Sequence, residues 1–193
     1  MLSQGIFYAE ESPLVEVQKI NHDIRVDMRY ITADNFMKEP LYPADARCFL
    51  RHEPAESLSR VQESLEKQGL GLKIFDGYRP LSVQKKMWAK FPLDGYVANP
   101  AKGSNHNRGA AVDLTLVDRE GLELSMPSEY DEFSERAHRD YAGGTEAQRN
   151  NRHTLEEAMA REGFIGLRTE WWHFDDSNAK SYPLLDFSFS DVD

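Results

Sequence analysis

The stretch Ser104-Asn-His-Asn-Arg-Gly-Ala-Ala-Val-Asp-Leu-Thr-Leu-Val117 joins a polar loop to a strong strand signal. Residues 93–109 are rich in Gly, Pro, Asn and Ser and read as a loop; residues 110–117 (AAVDLTLV) read as a strand, with 121–124 as a candidate hairpin partner. In that strand Ala111, Asp113 and Thr115 share one face, and Val112, Leu114 and Leu116 share the other. A carboxylate among so many apolar side chains is costly unless a cation meets it. A metal ion would be such a cation; equally, Asp113 could end the strand or cap a turn. Both readings stand on spacing alone.

Upstream, residues 72–75 form a short strand signal stopped by Asp76-Gly77, and a helix is expected over 81–91, just after Pro80. Ala55, Leu58, Val61 and Leu65 fall at helical spacing over 53–68, with Gly69 as the stop. Residues 24–30 (IRVDMRY) alternate apolar and polar and predict a half-buried strand. Downstream, Thr145 and Gln148 form a capping-box pattern opening a helix that runs to Glu162, with Gly163 as its end. Residues 164–174 read as a final extended element, followed by an aromatic tail. Strands and helices do not alternate regularly, so the pattern favours an α+β fold over a doubly wound sheet.

The chain has 193 residues, a length that suits one domain over 1–193 able to bury a core without staples. Against 23 Lys and Arg stand 33 Asp and Glu, a net charge of −10 that opposes a nucleic-acid or anionic-membrane role. A single cysteine, Cys48, excludes an intrachain disulfide and a multi-cysteine metal site, and reads as a small buried residue. The start (MLSQGIFYAEESPLVEVQ) lacks a basic region followed by an apolar run, and no apolar run is long enough to span a membrane. A cytoplasmic location is expected. The sequence leaves a homo-oligomer open.

The second segment with chemical content is Glu170-Trp-Trp-His-Phe174. In an ideal strand, residues three apart face opposite sides, so Glu170 and His173 share a site only if the chain twists, bulges or turns there. Taken alone, the segment also reads as core tryptophans flanked by edge residues. Taken with the first, it supplies His106, Asp113 and His173: two histidines and a carboxylate, a ligand set that suits zinc and leaves a fourth position for water. Glu170 is then an unused carboxylate able to take the proton of the attacking water. No HExxH occurs, which excludes a helical zincin. The other histidines, 22, 52, 138 and 153, sit in no ligand-like motif.

SNHNRGAAVDLTL, EWWHF and DGYRP, in the order SxHxxGxAxD and ExxH after GYRP, resemble the signatures of the zinc D-alanyl-D-alanine dipeptidases, the VanX-like peptidases. The resemblance runs from about residue 24 to residue 176 and includes YITADNF and SMPSEYDEF. Related carboxypeptidases carry EPWH where this chain has EWWH, which favours a dipeptidase. The resemblance implies a small, mostly antiparallel sheet carrying the site with helices packed around it, of the Hedgehog/D,D-peptidase kind. It implies one Zn²⁺ held by His106, Asp113 and His173, with Glu170 as the base and then the acid, and Arg79 stabilising the developing oxyanion. It places Asp131 at the substrate ammonium, Tyr30 at the same end, and Ser104 near the scissile region or the carboxylate. The implied substrate is the dipeptide D-Ala-D-Ala, cleaved to two D-alanines. Two alternatives remain: a D,D-carboxypeptidase or peptidoglycan stem-peptide peptidase of the same superfamily, and a zinc-stabilised binding module without turnover.

Overall fold

β5 (Ala111–Val117) is the axis of the molecule: all seven of its residues are buried, so it must be covered on both faces and paired on both edges. In the computed structural model, which describes residues 12–93 and 95–192, it is the middle strand of five. In chain order the elements are β1 (Leu14–Glu16), α1 (Val17–Ile20), β2 (Arg25–Val26), β3 (Phe49–Arg51), α2 (His52–Glu66), β4 (Gly71–Asp76), α3 (Leu81–Lys90), β5, α4 (Glu146–Arg161), β6 (Phe164–Gly166) and β7 (His173–Asp176). The large sheet runs β2-β4-β5-β7-β6, with β2 parallel to β4 and every other pair antiparallel; β1 and β3 form a separate antiparallel pair. The fold is α+β, as expected.

α2 and α4 pack on each other, α2 against β4 and α4 against β5 and β6. α2 turns Ala55, Leu58, Val61 and Leu65 inward, the four positions whose spacing predicts it. α4 opens with the expected capping box: Thr145 Oγ1 accepts from the Gln148 amide at 3.2 Å, and Gln148 Oε1 accepts from the Thr145 amide at 2.8 Å. It ends before Gly163, whose φ of +86° is a conformation glycine adopts without strain. Among the described residues no helix is long and apolar enough to cross a membrane. Residues 1–11, on which the no-leader reading largely rests, lie outside the described residues.

Three expectations are corrected. Of the alternating apolar positions Ile24 and Met28 are buried and Val26 is half-buried, but the strand is only Arg25–Val26, followed by a 3₁₀ turn at Arg29–Ile31. After Asp27 donates to the Ile74 carbonyl the chain leaves the sheet, and the Tyr30 carbonyl instead accepts from Leu41 and Tyr42. The hairpin partner at 121–124 is a single bridge, Val117 to Glu123, because Asp118 folds the chain back: its side chain accepts from the Leu122 amide and its own amide donates to the Leu122 carbonyl. Residues 164–174 are not one extended element: β6 and the start of β7 form a hairpin interrupted by a turn over 167–172. Cys48 is buried, and burial pushes its thiol pKa far up, so it is an inert core residue.

Candidate active site

Pairing of β5 with β7 puts Asp113 directly opposite His173. Pairing of β5 with β4 carries a register shift between Ile74 and Asp76, so Asp76 rather than Phe75 stands opposite Asp113. One extra residue of this kind re-aims a side chain, and here it turns Asp76 to the same end of the sheet. The third contributor is the 3₁₀ turn His106–Arg108, closed by Gly109 at φ +68°. The positive φ is what favours glycine there; a Cβ would also press on the Leu14 side chain, which would have to shift. Asn107 fixes this turn by donating to the Arg79 carbonyl at 2.8 Å and accepting from the Ser104 amide at 2.7 Å.

The result is a triangle of donor atoms. His106 Nε2 lies 3.2 Å from His173 Nδ1 and 3.3 Å from Asp113 Oδ1, and the last two are 2.9 Å apart. Donors held at about 2.0–2.1 Å by a tetrahedral ion lie about 3.3 Å from one another, so the spacing fits zinc. The outer hydrogen bonds fit as well. His106 Nδ1 faces the Gly77 carbonyl at 2.7 Å, and a carbonyl can only accept, so the proton sits on Nδ1 and the Nε2 lone pair points inward. His173 Nε2 faces Asp175 Oδ1 at 3.0 Å, which leaves Nδ1 for the ion in the same way. Burial alone would raise the Asp113 carboxyl, but the two imidazoles outweigh it and hold its pKa well below the ordinary range. Among the described residues, these three are the group of His, Cys, Asp and Glu side chains that converges closely enough to hold a metal ion.

The turn over 167–172 provides what a strand could not. It places Glu170 beside the triangle, buried, with its carboxylate lining the same cavity. Arg139 secures the turn by donating to the carbonyls of Leu167, Trp171 and His173 while stacking on Phe174. The Trp171 indole donates to Ser128 Oγ at 2.9 Å, and Trp172 is fully buried. The Glu170 side chain has no hydrogen-bond partner among the described residues. Burial pushes its pKa up to about 8, with Asp113 and Asp131 adding to the effect and His173 and Arg79 opposing it.

Arg79 is held from behind. Its Nε and Nη2 donate to Asp76 Oδ2 at 3.1 and 2.7 Å, and its Nη1 donates to Gln84 at 2.9 Å. Three of the five guanidinium N–H groups are thus engaged, which leaves one on each Nη. Burial opposes its charge, but Asp76 outweighs burial and keeps it protonated. Asp76 also accepts from the Tyr42 hydroxyl at 2.7 Å and from the Gly77 amide at 3.0 Å.

Asp131 sits at the other side of the cavity in the left-handed region, φ +59°, which Asp tolerates better than most residues. It accepts from the Phe36 amide at 3.1 Å and the Tyr30 hydroxyl at 3.3 Å. Burial pushes its pKa up to about 7. Ser104 accepts from the His106 amide at 3.2 Å. Asp131, Tyr30, Ser104, Arg79, Glu170 and the His-Asp-His triangle therefore line one cavity of 190 Å³. Sequence reasoning missed Asp76 and Asp175. Asp76 lies in the DGYRP motif but reads there as a strand stop; Asp175 lies two residues after His173 with nothing to set it apart from Asp176.

A family described as D-Ala-D-Ala dipeptidase, Peptidase_M15, matches residues 10–192. The D-alanyl-D-alanine dipeptidase of Escherichia coli (strain K12) is 37% identical over 182 residues, 94% of each chain. That of Enterococcus faecium is 33% identical over 196 residues, 90% of this chain and 95% of its own. Among solved structures, the LdcB LD-carboxypeptidase superposes with a TM-score of 0.50 at 21% identity, covering 90% of this chain and 72% of that one, a likeness of fold.

Proposed function

The chain belongs to the D-Ala-D-Ala dipeptidase family, Peptidase_M15, and from that membership we propose how its residues divide the reaction. It is a zinc-dependent hydrolase that cleaves the dipeptide D-Ala-D-Ala to two D-alanines. His106, Asp113 and His173 hold the ion, one per chain, in a single catalytic domain over residues 1–193. When bound there, zinc supplies Lewis acidity to the scissile carbonyl and to the attacking water.

The protein's own groups do the rest. Asp131, with Tyr30 beside it, pairs with the substrate ammonium and orients the dipeptide. Ser104 contacts the scissile region or the carboxylate end. Glu170 takes the proton of the attacking water on its carboxylate and passes it to the leaving amine, so one residue is base and then acid. The two free N–H groups of Arg79 donate to the carbonyl oxygen as it gains charge, from a guanidinium that cannot deprotonate. Trp172 and Phe36, which also line the cavity, exclude water and strengthen every charge inside.

The single observation that carries this reading is the meeting of the donor triangle, Glu170 and Arg79 in one small cavity. A non-catalytic module would need neither of the last two. The stem-peptide alternative fits less well: a cavity of 190 Å³ with a buried carboxylate at one end suits a short zwitterion. A longer or N-blocked substrate leaves Asp131 unpaired, a penalty on the order of several kcal/mol. The protein acts in the cytoplasm, and cell fractionation tests this.

The test is D-alanine release from D-Ala-D-Ala, N-acetyl-D-Ala-D-Ala and a stem pentapeptide, each with and without a chelator. Chelator-sensitive release from the free dipeptide alone is expected. Equal rates on the acetylated dipeptide would remove Asp131 from its role.

A further inference from the structure

We propose that Tyr130 is a positioning residue for the metal site: its hydroxyl occupies Oδ2 of Asp113, so that Oδ1 alone is presented to the ion. The inference rests on Asp113 being a metal ligand.

The two oxygens of Asp113 have separate surroundings. Oδ1 faces the two histidines at 2.9 and 3.3 Å, whereas Oδ2 accepts from the Tyr130 hydroxyl at 3.1 Å. A phenol has one proton to give. The other acceptor in reach of Tyr130 is the Tyr30 oxygen at 3.5 Å, a poorer contact. Tyr30 in turn gives its own proton to Asp131 at 3.3 Å. One assignment therefore serves both phenols: Tyr30 to Asp131 and Tyr130 to Asp113.

The ring cannot easily turn away. It packs on Phe75 with centroids 4.9 Å apart and meets Trp172 edge-on at 5.4 Å. Trp172 immediately precedes His173, and its carbonyl accepts from Leu114 next to Asp113. The segment that carries one ligand thus braces the residue that orients another. Tyr130 also adjoins Asp131 in the chain, so the stretch Ser128-Glu-Tyr-Asp131 serves the metal side and the ammonium side of the cavity together. A carboxylate that binds through one oxygen leaves a coordination position open for water; one that binds through both fills it. Positioning of this kind changes metal affinity and ligand geometry without touching substrate.

Tyr130→Phe removes only the hydroxyl. Zinc affinity, measured by competition with a chromophoric chelator, should fall on the order of 10–100-fold. The visible spectrum of the cobalt-substituted variant should lose intensity as the coordination number rises. The KM of the zinc-saturated variant for D-Ala-D-Ala should change far less than its zinc affinity. Zinc affinity within about twofold of wild type and an unchanged cobalt spectrum overturn the proposal. X-ray absorption at the zinc edge of the wild-type holoenzyme tests it without any variant: a single-oxygen carboxylate is expected, and coordination through both oxygens overturns it. Absence of stoichiometric zinc in the wild-type protein would instead overturn the ligand set on which it rests.

Discussion

Glu170 sits where its charged form is costly. Its carboxyl is buried, has no hydrogen-bond partner among the described residues, and is pushed by burial up to about 8 from an ordinary value of 4.5. A folded-state pKa above the unfolded one means that stability is complete below about 4.5 and is lost as pH rises through about 8. Glu170→Gln keeps the shape and removes the charge. We expect the metal-free variant to exceed wild type in stability by about 1–3 kcal/mol at pH 8–9, and the two to converge near pH 4.5. Thermal unfolding across that range checks it; parallel curves at all pH values contradict it. Arg79 makes a different residue-scale prediction. A lysine cannot reach Asp76 and Gln84 while still offering two N–H groups to substrate, so Arg79→Lys should lose about 10²–10³-fold in kcat with zinc retained. At this scale much was legible. His106, Asp113, His173 and Glu170 stand out because ionisable residues amid apolar strand and tryptophans require a reason. Asp76 did not, since an Asp before Gly reads as a turn whichever way its side chain points.

The elements explain why residues 67 positions apart in sequence, His106 and His173, come within hydrogen-bond distance. The pairing of β5 with β7 and the 3₁₀ turn before β5 do this, while the extra residue in β4 brings Asp76, and the turn between β6 and β7 brings Glu170, to the same end of the sheet. Helices α2 and α4 were legible because 3.6-residue periodicity and a capping box are local signals. The β4 irregularity was not, because an extra residue changes only the register with a distant strand. The need for a turn at Glu170–His173 could be inferred from period-2 geometry, although its shape could not. Two predictions separate scaffold from site. Thr145→Ala should cost about 1 kcal/mol of stability and leave kcat unchanged. Gly109→Ala forces a Cβ into Leu14 at positive φ, so it should destabilise by about 1–3 kcal/mol and also weaken zinc binding by moving His106. Equal zinc affinity in Gly109→Ala and wild type would show that the turn does not set the ligand.

For the whole molecule, the α+β class could be read from the irregular order of strands and helices. The strand order could not, because it depends on long-range pairing that leaves no local trace. The net charge of −10 excluded partners but does not describe the cavity. There a divalent ion and Arg79 would face Asp113, Glu170 and Asp131, and with all three carboxylates ionised the site is near neutral and strongly polarised, suited to a zwitterion. Held by the proposed ligands, the ion would also link the loop before β5, β5 itself and β7, so binding to the folded state alone should raise its stability. Zinc at about 100 times its Kd should add about 2.7 kcal/mol, seen as a rise in Tm that a chelator reverses. His106→Ala should abolish that rise, and a zinc-dependent Tm in this variant would remove His106 from the ligand set.

Zinc content and D-Ala-D-Ala turnover, measured together on one preparation of Glu170→Ala, test the central claim most directly. One zinc per chain with turnover reduced by at least about 10²–10³-fold is the predicted result, since the ligands are intact and the proton carrier is gone. Near-wild-type turnover in that zinc-loaded variant would contradict the account.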